Sequence, residues 1–199
     1  MTDQMEERLR ENYDELKWLY CELYHNDEAA FEYFCDMLRR EYLEFLVTMA
    51  NVPLLYIPGN HDESFADTPP EGCVCIDGRV VEVGGVRFLG FGGSYRYRPG
   101  TYMYTERQMA RRVNRAWPSI QRYGGFDVLV SHAPARHLND FDTVSHRGFD
   151  CVNTLIDRYH PRYFVHGHIH RSYGVNVPRI TPHGETTVVN AFEHCLIEI

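Results

Sequence analysis

The stretch Phe164-Val165-His166-Gly167-His168-Ile169-His170 is the most informative part of this sequence, because an apolar run is followed there by a glycine between histidines. The apolar run from Tyr163 to Val165 predicts the strand. Residues two apart in extended backbone share a face, so His168 and His170 are expected to direct two imidazoles to one point. Neutral imidazole is a common metal ligand, and Gly167 is expected to allow the tight turn. The alternative is a histidine-rich strand end that binds nothing.

A second polar cluster, Gly59-Asn60-His61-Asp62, follows an apolar strand predicted for residues 52–57. Asn60 offers a carbonyl oxygen, His61 offers an imidazole, and Asp62 offers a carboxylate that can orient this ring. Taken alone, these residue types are equally typical of an ordinary turn.

A third cluster, Ser131-His132-Ala133-Pro134, follows a strand predicted for residues 127–130. Strands that alternate with helices predict a layered α/β fold, in which strand ends meet at one edge of the sheet. Asn60, His132 and His168 can then share one shell of nitrogen and oxygen ligands. We therefore expect a metal site at this edge.

Length and charge narrow the classes of protein that fit. The length of 199 residues suggests one domain with an appendage. Apolar residues at helical spacing, with no glycine or proline before Pro53, predict a helical hairpin over residues 1–50, and the domain is expected over residues 51–199. A formal net charge of -8 argues against a general binder of nucleic acid or of membrane surfaces. Six cysteines without a CxxC pair, and no visible signal peptide, predict reduced thiols and a cytoplasmic protein.

Local patterns predict further elements. Gly84-Gly85 lies between two apolar runs and predicts a β-hairpin. A helix is expected from Thr105 to Tyr123, with Thr105 as its N-cap and a kink or break at Pro118. The remaining predictions are a helix over residues 149–159 and tail strands over residues 174–177, 186–190 and 195–199.

The order of the three clusters, ending in Gly167-His168-Ile169-His170, resembles calcineurin-like metallophosphoesterases from about Glu41 to Ile199. This resemblance implies a layered β-sandwich flanked by helices. It also implies a metal-dependent phosphoesterase that cleaves a phosphomonoester or phosphodiester with a metal-activated hydroxide. The implied cofactors are one or two divalent ions of manganese, iron or zinc. The implied partner is a phosphorylated small molecule or a phosphodiester substrate.

The resemblance also implies a role for each motif residue. Asn60, His132 and His168 correspond to ligands of one metal, and His170 corresponds to a ligand of the other. His61 resembles the histidine that assists the leaving group, and Asp62 resembles its support.

The sequence itself also suggests residues that could contact the substrate. Arg147 and the neighbouring His146 are candidate contacts for a substrate phosphate, as are the rings and bases of residues 95–98.

The chain departs from the family at its start. The family opens with a strand carrying Asp-x-His and a second strand ending in Gly-Asp, and neither motif occurs here. Asp36 lies one position from the expected acid. The first sheet is therefore expected to be incomplete, with its edge covered by the helical hairpin, a second copy of the chain or another partner. The alternative function is a catalytically impaired relative that binds metal, phosphate or a protein partner.

Residues 1–40 carry a second resemblance. Leu16 to Tyr24 and Phe31 to Arg40 resemble a helical segment of amylosucrase-like proteins. No carboxylate pair of a glycosidase follows, so this resemblance implies no sugar-cleaving activity.

Overall fold

The computed structural model describes residues 39–50, 52–169, 178–192 and 195–199. Most of the predicted hairpin of residues 1–50 lies outside the described residues, as do Asp36, His170 and most of the amylosucrase-like segment. The division at residues 50 and 51 therefore stays a prediction. The chain forms two compact units, which are Met1–Leu54 with Thr68–Cys73 and Leu55–Asp67 with Val74–Ile199.

Helix α1 (Arg39–Ala50) is the regular element described in the first unit. The Glu44 carboxylate accepts a bond from Arg40 Nε at 2.9 Å and another from the Glu71 N–H at 3.0 Å. Gly72 has a φ of 74°, and a Cβ there would lie 3.0 Å from Val47 Cγ1. A glycine therefore suits the close approach of this segment to the helix.

A six-stranded sheet organises the second unit, and its strands are β3 (Val80–Val83), β4 (Val86–Phe91), β7 (Val128–Ser131), β8 (Tyr163–His166), β9 (Ile180–His183) and β10 (Thr186–Asn190). Their order in the sheet is β3-β4-β7-β8-β10-β9. Strands β4, β7, β8 and β10 are parallel, whereas β3 and β9 pair antiparallel at the two edges. The two short pairs are β1 (Leu55–Tyr56) with β2 (Val74–Cys75) and β5 (Ser94–Tyr95) with β6 (Met103–Tyr104).

Helices α2 (Glu106–Tyr123) and α3 (Asp150–Tyr159) share one apolar core with this sheet. Adjacent positions across the four parallel strands form a fully buried row of Leu89, Leu129, Phe164 and Val188. The predicted α/β class is therefore confirmed. No helix in the described part of the chain combines the length and the apolar surface that crossing a bilayer requires.

Helix α2 begins where the sequence predicts. The N–H of Thr105 donates to Gln108 Oε1 at 2.9 Å, and the N–H of Gln108 donates to Thr105 Oγ1 at 3.4 Å. This reciprocal pair is a capping box. The helix continues through Pro118 and is capped by Gly124, which has a φ of 67°. A break at Pro118 is therefore wrong: the packing of the helix outweighs the backbone bond that proline removes.

The tail differs from its predicted pattern. Residues 195–199 form no strand, and residues 174–177 lie outside the described range. The segment Ile180–His183 forms edge strand β9 instead, paired with β10, which was predicted. The two-glycine hairpin is confirmed, with φ of 59° at Gly84 and 82° at Gly85. Positive φ at both central residues matches the right-handed twist of hairpin strands.

Arg87 and Asp127 fasten β4 to the start of β7. Arg87 Nη2 donates to Asp127 Oδ1 at 2.6 Å, and Arg87 Nε donates to Oδ2 at 2.9 Å. Arg87 Nη1 also donates to the carbonyls of Tyr123 and Gly124 at the end of α2. The bond from the Arg87 side chain lowers the pKa of the Asp127 carboxyl.

We expect Asp127→Asn to lower the free energy of unfolding by about 1 to 2 kcal/mol near neutral pH, since a charge-assisted bidentate contact is lost. The folded-state pKa of Asp127 is depressed. Its stabilisation is therefore present above the ordinary carboxyl pKa and disappears as the pH falls through the lower folded value. Urea unfolding near neutral pH and in acid measures both effects. Asp67→Asn, at an exposed aspartate, is the control. A difference that persists unchanged in acid would contradict this account.

Candidate metal centre

The four parallel strands end in one line. Phe91, Ser131, His166 and Asn190 are register neighbours in the last row of the sheet. The backbone bonds extend one residue beyond this row: the His132 N–H donates to the Phe91 carbonyl at 3.0 Å, and the Gly167 N–H donates to the His132 carbonyl at 3.2 Å. The histidines that follow β7 and β8 are therefore brought to the same edge, where α/β proteins commonly bind ligands.

The loop after β1 reaches this edge because two glycines of the β4 segment leave room for it. A Cβ on Gly90 would lie 2.6 Å from Ile57 Cγ2, and a Cβ on Gly92 would lie 2.4 Å from the Pro58 carbonyl oxygen. The Gly93 N–H donates to that same carbonyl at 2.8 Å. Backbone packed this closely fixes where the next residues of the loop lie.

The ion pair between Asp77 and Arg112 holds the backbone of Gly92 in place. Arg112 Nη2 donates to both carboxylate oxygens of Asp77, at 2.5 and 2.6 Å, and Arg112 Nη1 donates to the Gly92 carbonyl at 2.9 Å. The Gly92 N–H donates to Asp77 Oδ1 at 2.7 Å. The Arg112 guanidinium also lies over the Tyr104 ring, 4.2 Å from its centroid. Helix α2 thus braces the backbone that supports the loop.

Asn60 and His132 meet directly at the edge. The Nε2 of His132 lies 2.7 Å from Asn60 Oδ1, although the two residues are 72 positions apart in the chain. Asn60 is 2% exposed, and its Nδ2 donates to the Tyr97 hydroxyl at 3.2 Å. The tyrosine therefore fixes the amide so that its carbonyl oxygen faces the histidine. Tyr97 lies in the 95–98 segment, which the sequence flagged only as a possible phosphate contact.

His168 joins this pair. Its ring centroid lies 4.9 Å from that of His132 and 5.5 Å from that of His146. The Nε2 of His168 lies 2.7 Å from the Ser145 carbonyl oxygen. The structure therefore brings together Asn60, His132, His146 and His168, all of which the sequence singled out. It does not describe His170.

The turn after β8 is made by a different residue from the one expected. Gly167 does not have a positive φ, and a Cβ there would meet only the His132 carbonyl oxygen, at an ordinary 3.8 Å. His168 has the positive φ, at 65°, and the Ile169 N–H donates to the Gly167 carbonyl at 2.7 Å across it. This γ-turn is rare and strained for a residue with a side chain, and such strain concentrates at functional sites. The role predicted for Gly167 is thus wrong.

The donor set fits a divalent ion in its chemistry, since one amide oxygen and two imidazoles suit manganese, iron and zinc. Asn60 and His132 already face each other, and the His168 ring packs beside them. Within the described residues, no group of three His, Cys, Asp or Glu side chains is arranged to hold a metal ion. The set assembled here contains two histidines, with asparagine as its third member.

His61 and Asp62 differ sharply in exposure. His61 is exposed, whereas Asp62 is 5% exposed and its Oδ2 accepts the Gly59 N–H at 2.6 Å. The Asp62 carboxylate therefore closes the loop on which Asn60 and His61 lie. Its orientation of the His61 ring stays a prediction.

Arg147 follows the short 3₁₀ turn Val144–His146. Its guanidinium lies over the Tyr95 ring, with Cζ 5.2 Å from the centroid. Its Nε is buried and has no hydrogen-bond partner among the residues that the structure describes. A buried guanidinium nitrogen without an acceptor is costly, so the arrangement favours an anion that supplies one.

His166 is a residue of the site that sequence reasoning quoted but did not assign. It is 1% exposed, and burial lowers its pKa to about 4. The ring is therefore neutral near neutral pH. The signal in the sequence that could have identified it is its position at the end of the apolar run of β8, directly before Gly167.

We expect Gly92→Ala to destabilise the chain by about 1 to 3 kcal/mol, because its Cβ would overlap the Pro58 carbonyl. Gly167→Ala is the matched control, since its Cβ meets only an ordinary contact. Urea unfolding compares the two variants. Equal stability of both would contradict the role assigned to the close contact at Gly92.

Comparison with known proteins identifies relatives of this chain. The family model for calcineurin-like phosphoesterases matches residues 23–172. UPF0046 protein C25E10.12 of Caenorhabditis elegans is 30% identical over 125 residues, or 60% of this chain and 41% of that protein. Metallophosphoesterase domain-containing protein 1 of Homo sapiens is 39% identical over 70 residues, or 34% of this chain and 20% of that protein. The chain thus spans less than half the length of these two relatives.

The fold has solved counterparts. The crystal structure of TT1561 from Thermus thermophilus superposes with a TM-score of 0.51 at 13% identity, and the match covers 75% of this chain and 67% of that chain. The family match begins at residue 23, upstream of the predicted start at Glu41, and includes Asn60, His132 and His168. Since the matched range covers most of the sequence, the chain belongs to the calcineurin-like phosphoesterase family.

Proposed function

We propose that this chain is a metal-dependent phosphoesterase that hydrolyses a phosphomonoester or a phosphodiester. Membership of the calcineurin-like phosphoesterase family supports phosphoester hydrolysis. The observation that carries the proposal for this chain is the meeting of Asn60 Oδ1 and His132 Nε2 at 2.7 Å beside the His168 ring. These groups come from three separate segments, and hydrophobic packing alone gives no reason to gather them.

Asn60, His132 and His168 are the residues that would hold a divalent ion of manganese, iron or zinc. His170, outside the described residues, is the proposed ligand of a second ion. A bound divalent ion would polarise the phosphoryl group and make water a stronger nucleophile near neutral pH. The protein contributes a prearranged set of donors, which lowers the cost of ordering them.

His61 is the proposed proton donor to the leaving oxygen. It follows Asn60 directly and is exposed, so a substrate held at the edge can reach it. Imidazole exchanges protons readily near neutral pH, which suits general acid catalysis. The bond that Asp62 accepts from the Gly59 N–H keeps the loop that carries His61 folded.

Arg147 is the proposed contact for a non-bridging phosphate oxygen, with His146 beside it. Its Nε is buried without a hydrogen-bond partner in the described part of the chain, and the guanidinium lies over the Tyr95 ring. A phosphate oxygen would satisfy this donor with a charge-assisted bond. The same donor favours an anionic substrate over a neutral ester.

A second candidate function is a catalytically impaired relative that binds a metal, a phosphate ligand or a protein partner. It is favoured because the described residues contain no three-member group of His, Cys, Asp or Glu arranged for a metal. The sequence also lacks the Asp-x-His and Gly-Asp motifs. On this hypothesis a second copy or another chain covers the incomplete sheet.

Metal titration by calorimetry tests the ligand set. We expect His168→Ala to weaken the affinity for Mn²⁺ at least about tenfold, because one of three protein ligands is lost. His183→Ala is the control, since His183 lies on β9, contacts Asp157 of α3 and is not a proposed ligand. Unchanged affinity in His168→Ala would contradict the assignment.

Hydrolysis of an activated aryl phosphodiester and the corresponding monoester, with added Mn²⁺, tests catalysis. We expect Arg147→Ala to raise KM by about 10- to 100-fold and to leave metal affinity unchanged, since a charged contact to substrate is lost. Arg158→Ala removes a charge from α3 and serves as the control. A wild-type chain that binds metal but cleaves neither ester would favour the impaired relative.

A further inference from the structure

His166 stands directly before the turn that presents His168, and both of its ring nitrogens have polar neighbours. Its Nδ1 lies 3.1 Å from the carbonyl oxygen of Gly167, the next residue. Its Nε2 lies 3.4 Å from Asn139 Nδ2. A fully buried ring with a polar group at each nitrogen is held in one orientation.

These neighbours require one tautomer. Asn139 directs its Nδ2 toward the ring, and its Oδ1 lies 3.2 Å from the Thr181 hydroxyl, which can donate to it. An NH₂ group only donates, and therefore His166 Nε2 accepts. A carbonyl oxygen only accepts, and therefore His166 Nδ1 carries the proton that is donated to Gly167.

The Gly167 carbonyl is also the acceptor that closes the turn. It receives the Ile169 N–H at 2.7 Å across His168, whose φ is 65°. On the far side of the turn, Asn190 Nδ2 donates to the Ile169 carbonyl at 3.1 Å. The strained residue is thus held between two side chains of the last sheet row, His166 before the turn and Asn190 after it.

We propose that His166 is a positioning residue: its Nδ1–H orients the Gly167 carbonyl and thereby keeps His168 in its left-handed turn beside His132. This deepens the proposed function and rests on it for the metal-binding consequence. A residue that merely filled space would act through the volume of its ring. A positioning residue acts through one hydrogen-bond donor at one ring position.

Two amide substitutions separate these cases. In His166→Asn the side-chain NH₂ falls near the position of Nδ1, which keeps the donor to Gly167 and removes the acceptor for Asn139. In His166→Gln the terminal amide reaches the position of Nε2, which keeps the acceptor and removes the donor. Both replace a buried ring with a smaller amide, so thermal unfolding of the two variants checks that their loss of packing is similar.

The wild-type chain gives the first measurement. Long-range ¹⁵N–¹H NMR of the histidine rings, with His166 assigned by its loss in the variants, is expected to show a proton on Nδ1. A proton on Nε2 would overturn the proposal, because neither predicted bond could then form. This result needs no bound metal.

The second test combines hydrogen exchange at the Ile169 amide with calorimetric titration of each variant with Mn²⁺. We expect His166→Gln to speed this exchange and to weaken Mn²⁺ binding, each by at least about tenfold, whereas His166→Asn stays within about threefold of wild type. Equal behaviour of the two variants would overturn the proposal. If the wild-type chain binds no Mn²⁺, the proposed function fails, and the tautomer and the Ile169 exchange still decide the role of His166.

Discussion

The common register of β4, β7, β8 and β10 is the constraint on which the rest of this structure depends. Because the four parallel strands end in one row, the residues after them are placed side by side without any contribution from loop sequence. The backbone bond from Gly167 to His132 carries this alignment one residue further. It places His166 and Asn190 in a buried row, where the Gly167 carbonyl lies beside His166 Nδ1 and the Ile169 carbonyl accepts from Asn190 Nδ2.

The position of the loop that carries Asn60 depends on two glycines of the neighbouring segment. Gly90 and Gly92 have no Cβ, and that absence lets the segment after β1 lie against β4. The Asp77–Arg112 pair then keeps the glycine backbone from relaxing away. Because Arg112 Nη2 contacts both carboxylate oxygens and the two side chains are largely shielded from water, the pair acts as a rigid brace rather than a loose surface contact.

Much of this arrangement could be predicted from the sequence, since apolar runs followed by Asn60, His132 and His168 identify strand ends that meet at one edge. The backbone conformation of the turn after β8 was harder to predict. A glycine beside a histidine suggests that the glycine adopts the unusual backbone, yet His168 does so because side chains at both ends of the turn hold it. The contact of Tyr97 with Asn60 spans 37 positions and leaves no periodic signal. Partners of this kind depend on tertiary packing, which local patterns do not encode.

The 72 positions that separate Asn60 from His132 also bear on how the chain folds. Parallel strands joined by helical crossovers must close long loops before their contacts stabilise anything, so such sheets form slowly. Hairpin β3–β4 and helix α2 are local and can form early, but neither contains an edge histidine. The cluster of Asn60, His132 and His168 therefore exists only when three segments that lie far apart in the chain are all in place. Any partly folded or newly synthesised form of the chain would lack it, and a ligand bound there would favour the completed sheet over every earlier intermediate.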